Sequence, residues 1–203
     1  LTFIKNEAYI ATNYGLIKYS PSTNEVNWFY VKKIKSTRFT DQLIEKIQPS
    51  FFEITVAIAL DYFASEVPDF IVMEVGLGGR LDSTNIISPM LSVITNISHD
   101  HQSVLGNTLA EIAYEKGGII KNNIPVIIGQ HQDVTDSIFI KIANERKTKL
   151  LFAEDIINLS VTNENPIYRS LLIKAENWNF EIKTDLLGNF QLKNIITAFA
   201  AVN

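Results

Sequence analysis

The sequence predicts an α/β protein: a mostly parallel sheet flanked by helices, with an additional antiparallel β portion. Three observations carry this. Short apolar runs rich in Val and Ile recur at DFIVMEV (69–75), LSVITNI (91–97), IPVIIG (124–129) and KLLFA (149–153), the pattern of strands covered on both faces. Helical periodicity fills the gaps, at TLAEIAYEKGGIIK (108–121) and SIFIKIANERKT (137–148). Glycine-rich or polar clusters follow the ends of two strands, where parallel α/β sheets collect ligands.

Residues 1–30 carry LTFI, AYIAT, GLIKYS and VNWFYV, punctuated by Asn13-Tyr14-Gly15 and by Ser20-Pro21-Ser22-Thr23-Asn24, which is the grammar of hairpins. VKKIKSTR then concentrates four basic residues in eight and reads as a solvated boundary, dividing a β-rich segment (1–40) from the main domain (41–203). A helix is predicted to start near Ser50, because Phe52, Val56, Ala59, Leu60 and Phe63 recur at helical spacing. After the strand and helix alternation, LSVTN, YRSLLIKA and WNFEIKT predict an antiparallel excursion, and LGNFQLKNIITAFAAVN predicts a final helix.

Composition narrows the function. The 203 residues include 18 basic and 22 acidic side chains, a formal charge of -4, which argues against nucleic acid because such binding runs on neutralising phosphates. With no cysteine, disulfides, thiolate zinc sites and cysteine nucleophiles are excluded, and a reducing cytoplasm fits. No apolar run approaches the roughly 18 residues of a membrane span, so no membrane association is expected. The first residue is Leu1 rather than Met, which is read as a trimmed or partial chain.

Two strand ends hold residues suited to chemistry. In Met73-Glu74-Val75-Gly76-Leu77-Gly78-Gly79-Arg80, a carboxylate in an apolar run should face a cation or sit at the sheet rim, and the glycines either let the backbone approach a ligand or serve a tight turn. Arg80 can hold an anion through paired donors. In Asn96-Ile97-Ser98-His99-Asp100-His101, two imidazoles flank a carboxylate, which reads either as a metal or acid-base site, with zinc or manganese the generic choice, or as a polar surface loop. His131 reads as structural or exposed. Lys116, near the end of a helix, reads locally as a cation offsetting the helix dipole.

Taken together, EVGLGGRLDSTNII, SVITNISHDHQSVLGNTLAEIAYEKGGIIK and LLGNFQLKNIITAFAA resemble folylpolyglutamate synthase and dihydrofolate synthase, members of the ATP-dependent Mur ligase superfamily, from about Asp41 to Asn203. The resemblance implies a Mur-ligase-type central ATPase domain in a monomeric cytoplasmic enzyme. Its chemistry would activate a pteroate or folate carboxylate as an acyl phosphate with ATP and Mg2+, for attack by L-glutamate. It further implies that Glu74 and His101 are magnesium ligands and that Lys116 is the lysine carried as a carbamate, reversing the local reading. Ser50, Phe51, Phe52 and Glu53 match the segment that lines the pterin pocket, Leu81, Asp82 and Ser83 match the loop that contacts the pterin, and Asn194 matches an asparagine that contacts ATP. Arg80 then reads as site architecture.

Departures from the pattern accompany it. No stretch matches G-x-x-x-x-G-K-[ST], no Ser-Pro-His segment lies in residues 1–40, and the family's C-terminal domain would follow Asn203, so the expectation is an incomplete form without independent activity. His99 stands where a hydrophobic or aromatic residue is usual, and Gly117-Gly118 where alanine-glycine is common; both changes are read as tolerable. ATNYGLIKYSPSTNEVNWF resembles the blade repeats of sensor β-propellers, which would imply a fused or rearranged gene. The alternative function is a non-catalytic pterin-binding or interaction protein of the same fold. A peptidoglycan-type Mur ligase is disfavoured by LGGRLDSTN and EKGGIIK.

Overall fold

The structure is a computed structural model. It describes residues 46–99 and 101–203, and in addition the backbone of four strands before them. By contact density the chain divides into two units, residues 1–77 with 82–86, and residues 78–81 with 87–203.

In the first unit, β1 (Thr2–Ile4), β2 (Glu7–Thr12), β3 (Gly15–Ser20) and β4 (Glu25–Phe29) form an antiparallel sheet with neighbours in chain order, as the alternating pattern predicted. The basic boundary segment at 31–38 lies outside the described residues. Helix α1 (Phe51–Glu66) starts where expected because Ser50 and Glu53 form a capping box: the Ser50 N–H donates to Glu53 Oε2 at 2.6 Å, and the Glu53 N–H to Ser50 Oγ at 3.2 Å. It ends on Val67, left-handed at φ 48°, directly before Pro68, whose ring disfavours helical geometry in the residue ahead of it. Ala59 and Phe63 pack with Tyr62 and Met73 in a small core.

The strand predicted at 69–75 needs correction. Its backbone has only an isolated bridge, at Met73, and Phe70, Ile71 and Val72 are 61%, 44% and 50% exposed. Val and Ile favour extended backbone, but a strand exists only where a neighbour supplies a ladder of N–H and C=O groups.

The second unit holds the predicted parallel sheet, shorter than the apolar runs suggested. Strands β5 (Ser92–Ile94), β6 (Val126–Ile128) and β7 (Leu150–Phe152) lie side by side in that order, with Ser92 opposite Val126 and Val126 opposite Leu150. Between them run α2 (Gln102–Leu105), α3 (Leu109–Gly117) and α4 (Asp133–Glu145). Helix α4 begins four residues before the predicted start at 137, because Asp133 and Asp136 place carboxylates in its first turn, where the backbone N–H groups are unpaired.

Alternation along β6 divides the core. Val126 and Ile128 face Ile112, Ala113, Phe139 and Ala143 from α3 and α4, while Ile127 faces the opposite layer. That layer contains the short α5 (Ala153–Ile156), the antiparallel sheet of β8 (Asn158–Glu164), β9 (Arg169–Lys174) and β10 (Asn179–Thr184) in the order β10-β9-β8, and α6 (Asn189–Val202). Ala153, Leu171, Ile173, Ile195 and Ala200 fill it. The parallel sheet is therefore covered on both faces, and the α/β class with an antiparallel portion holds.

Candidate functional site

In the first unit, Phe52 and Asp82 converge on the loop after Glu74. A side chain at Gly76 would meet the Phe52 ring at 2.5 Å and Asp82 Oδ2 at 3.1 Å, so only glycine lets the aromatic lie against this turn. Asp82 organises the backbone on either side of itself. Its Oδ2 accepts the Leu77 N–H at 2.9 Å, and its Oδ1 accepts the Thr84 N–H at 2.9 Å and the Thr84 hydroxyl, winding Ser83–Ile86 into a 3₁₀ turn. Ser50 and Glu53 are engaged with each other, and those bonds hold the Glu53 carboxyl below its ordinary pKa. Phe51, Leu81 and Glu74 are exposed.

In the second unit, the rest of the glycine loop is pressed onto helices α2 and α3. A side chain at Gly78 would meet Leu105 of α2 at 2.7 Å, and one at Gly79 would meet the Glu115 and Lys116 carbonyls at 2.9 Å. A Cβ at Gly118 would collide with the Arg80 backbone. Arg80 secures the contact: its N–H donates to the Glu115 carbonyl at 2.8 Å, and its guanidinium donates to the Glu115 carboxylate through Nε at 3.2 Å and Nη2 at 2.9 Å. Arg80 is thus architecture, and the two glycine pairs explain one another. Gly117 differs, since a methyl there would meet the flexible Cδ1 of Ile142 and then Phe139 at 3.6 Å. Of the two expected tolerances, Gly117 in place of alanine has this plain reason.

Lys116 sits half-buried in the last turn of α3 and makes no ion pair among the described residues. His101 is exposed, precedes α2, and adopts the left-handed region at φ 47°, unusual for a residue with a Cβ. His99 Nδ1 lies 3.0 Å from Gln102 Nε2, and Asp100 lies outside the described residues. On the other layer, Asn194 is exposed in the second turn of α6, with its Nδ2 donating to Gln191 Oε1 at 3.0 Å.

One loop whose contacts the sequence reading did not foresee is Gln130-His131-Gln132, at the carboxyl end of β6, and His131 has the structural setting expected of it. Gln130 accepts from Lys193 Nζ of α6 at 2.8 Å. His131 stacks on Phe152 at 3.8 Å between ring centres and lies between Asp136 Oδ2, 2.7 Å from Nδ1, and Asp155 Oδ1, 3.1 Å from Nε2. The Asp136 bond, with help from Asp155, raises its pKa. Gln132 reaches across to the end of β5. A polar triplet straight after an apolar strand was the available signal.

Among the described residues no three His, Asp or Glu side chains gather to hold a metal ion. No described helix is long and apolar enough to cross a membrane.

This arrangement, a parallel sheet with its glycine loop locked to a lysine-bearing helix end, agrees with known proteins. Residues 28–202 match the Mur ligase middle domain, and the chain belongs to the Mur ligase family. Within it, the chain's kin are folylpolyglutamate and dihydrofolate synthases. It is 38% identical over 156 residues to the dihydrofolate synthase/folylpolyglutamate synthase of Bacillus subtilis, covering 76% of this chain and 36% of that protein. The apo form of L. casei folylpolyglutamate synthase (FPGS) superposes with a TM-score of 0.73 at 28% identity, over 80% of this chain and 41% of that one. An FPGS complex with AMPPCP and folate gives the same values. The chain thus spans well under half the length of these relatives.

Proposed function

We propose that the chain is the central domain of an ATP-dependent ligase that joins L-glutamate to dihydropteroate or folate through an acyl phosphate, in a monomeric, cytoplasmic protein with no nucleic-acid or membrane partner. Residues 1–40 form a separate β-rich segment ahead of the domain at 41–203. The observation that carries the reading is the clamp of Gly78–Arg80 on the end of α3, which fixes the main chain around Lys116. The similarity to an FPGS bound to AMPPCP and folate supports both substrates.

In this reading Glu74 and His101 hold Mg2+, which when bound neutralises charge on the transferring phosphoryl group. Lys116 carries a carbamate, an added anionic group directed to the same region. Phe51 and Phe52 line the pterin pocket, and the loop of Leu81, Asp82 and Ser83 contacts the pterin. Ser50 and Glu53 act on the pterin segment by fixing the start of α1. Asn194, ahead of the buried Ile195, contacts the nucleotide. The protein's share is positioning and charge stabilisation rather than covalent chemistry.

Titration calorimetry with dihydropteroate tests this. The chain should bind it, and Phe52→Ala should weaken binding about tenfold or more, the scale of one buried aromatic contact. Because the 203 residues hold no phosphate-loop motif, no pteroate- and glutamate-dependent ADP release is expected from them alone. Unchanged affinity in Phe52→Ala would end the pterin assignment.

A further inference from the structure

We infer that Gln132 is a positioning residue: through the main chain of Ile97 it fixes the segment that carries His99 and His101, an inference that rests on the proposed metal role of His101 for its functional meaning. The β5–β6 ladder ends where the Gly129 N–H donates to the Ile94 carbonyl at 2.8 Å. Beyond that point the backbones no longer pair. The Gln132 amide takes over, its Oε1 accepting the Ile97 N–H at 2.7 Å and its Nε2 donating to the Ile97 carbonyl at 2.8 Å. A single side chain thus performs the double exchange of a neighbouring strand and extends the sheet by one step.

The position of this step matters. Thr95 and Asn96 are exposed, Ile97 is buried at 3% exposure, and Ser98 and His99 are exposed again. Ile97 is therefore the last buried residue described before His101, and its polar main-chain groups need partners because burial removes water. His101 in turn holds a left-handed backbone, which persists only where the surroundings determine it.

Gln132 is itself held. Its N–H donates to Asp136 Oδ1 at 2.8 Å, and the other oxygen of that carboxylate meets His131. Its carbonyl accepts the Thr135 N–H at 2.8 Å in the first turn of α4. The amide that grips Ile97 is thus braced from the amino end of α4.

The test uses the full 203-residue chain and three variants, Gln132→Leu, Gln132→Glu and Gln130→Leu. Amide hydrogen exchange is read at Ile97, imidazole NMR signals at His99 and His101, and Mn2+-induced broadening at His101. Gln132→Leu keeps the bulk and loses both bonds, so Ile97 exchange should accelerate about tenfold or more and the His101 signals should shift. The Mn2+ concentration that broadens His101 should then rise several-fold. Gln132→Glu keeps the acceptor for the Ile97 N–H but loses the donor, so exchange should stay within about threefold of the parent while His101 still shifts. Gln130→Leu, on the same loop but bonded to α6, should leave Ile97 and His101 unchanged.

Parental exchange at Ile97 and parental His101 signals in Gln132→Leu would overturn the inference. So would equal effects from Gln130→Leu, which would mean general loosening of the loop. Should the leucine variant fail to fold, Gln132→Glu decides: His101 signals identical to the parent's would overturn the inference. Absence of Mn2+ broadening at His101 in the parent would sink the metal assignment alone, since exchange and ring signals report the grip of Gln132 without any metal.

Discussion

Helix α1 opens with Ser50 and Glu53 exchanging hydrogen bonds, and helix α3 opens with Thr108 and Glu111 doing the same. From there the two diverge. Ile112 and Ala113, directly after the second box, are fully buried between the parallel sheet and α4, whereas Phe51, directly after the first cap, is 72% exposed. The same local device therefore opens one helix that is buried just past its box and another whose first residue is exposed and whose buried positions, Val56, Ala59 and Phe63, come later. Starting a helix is a matter of satisfying its first N–H groups, which a single capping box can do. The fate of its faces then depends on which other elements arrive.

The sharpest way to break this comparison is to truncate both helices. Ile112→Ala should lower stability by about 2–5 kcal/mol, the range for emptying a core site. Phe51→Ala should stay within about 0.5 kcal/mol in stability, as exposed positions do, with any effect appearing in pterin binding. Urea denaturation of both variants checks this, and a Phe51→Ala protein as destabilised as Ile112→Ala would show that Phe51 is a core position after all.

A smaller effect should separate adjacent glycines in α3 and its cap. Gly118→Ala places a methyl group against the Arg80 backbone and should lose about 1–3 kcal/mol, as overpacking does. Gly117→Ala meets only side-chain ends and gains helix propensity, so its net change should lie within about 1 kcal/mol. Melting curves that rank these two in the opposite order would remove the loop clamp from the account of this site.

The smallest effects are in pH. Glu53 in the first unit and Glu111 in the second both have pKa values lowered by their box partners, so each contributes stability above its unfolded value that is lost as pH falls through the folded one. His131, in the second unit, has its pKa raised above about 6.5 by Asp136. Its contribution is complete below that value and lost as pH rises through the higher folded one. Acid should therefore loosen both units and mild alkali the second alone. Melting temperatures of the parent and His131→Gln, measured from mildly acidic to mildly alkaline pH, should converge at the alkaline end, and parallel curves would refute the role of His131.

Much of this was legible in the residues themselves. Apolar runs, helical spacing and turn punctuation placed most of the elements, and the glycine pairs drew attention to one loop and one helix end. The run at 69–75 misled because Val, Ile and Phe report a preference for extended backbone, not the presence of a partner strand. The site residues were legible as types, but that Glu74 is exposed came only from the structure. Ser50 and Glu53 were readable as pocket lining from a resemblance, and the structure adds that they bond to one another.

The sequence by itself, then, determined local matters: where most helices and strands lie and which side chains can do chemistry. Only the tertiary structure decided that Gly118 lies on Arg80, that Glu115 is the partner of that arginine, and that the Gln132 amide completes the main chain of Ile97, 35 positions away. The physical reason is range. Periodicity and caps are set by neighbours within a helical turn, whereas a hydrogen bond between distant loops exists only after the sheet has brought their strand ends side by side.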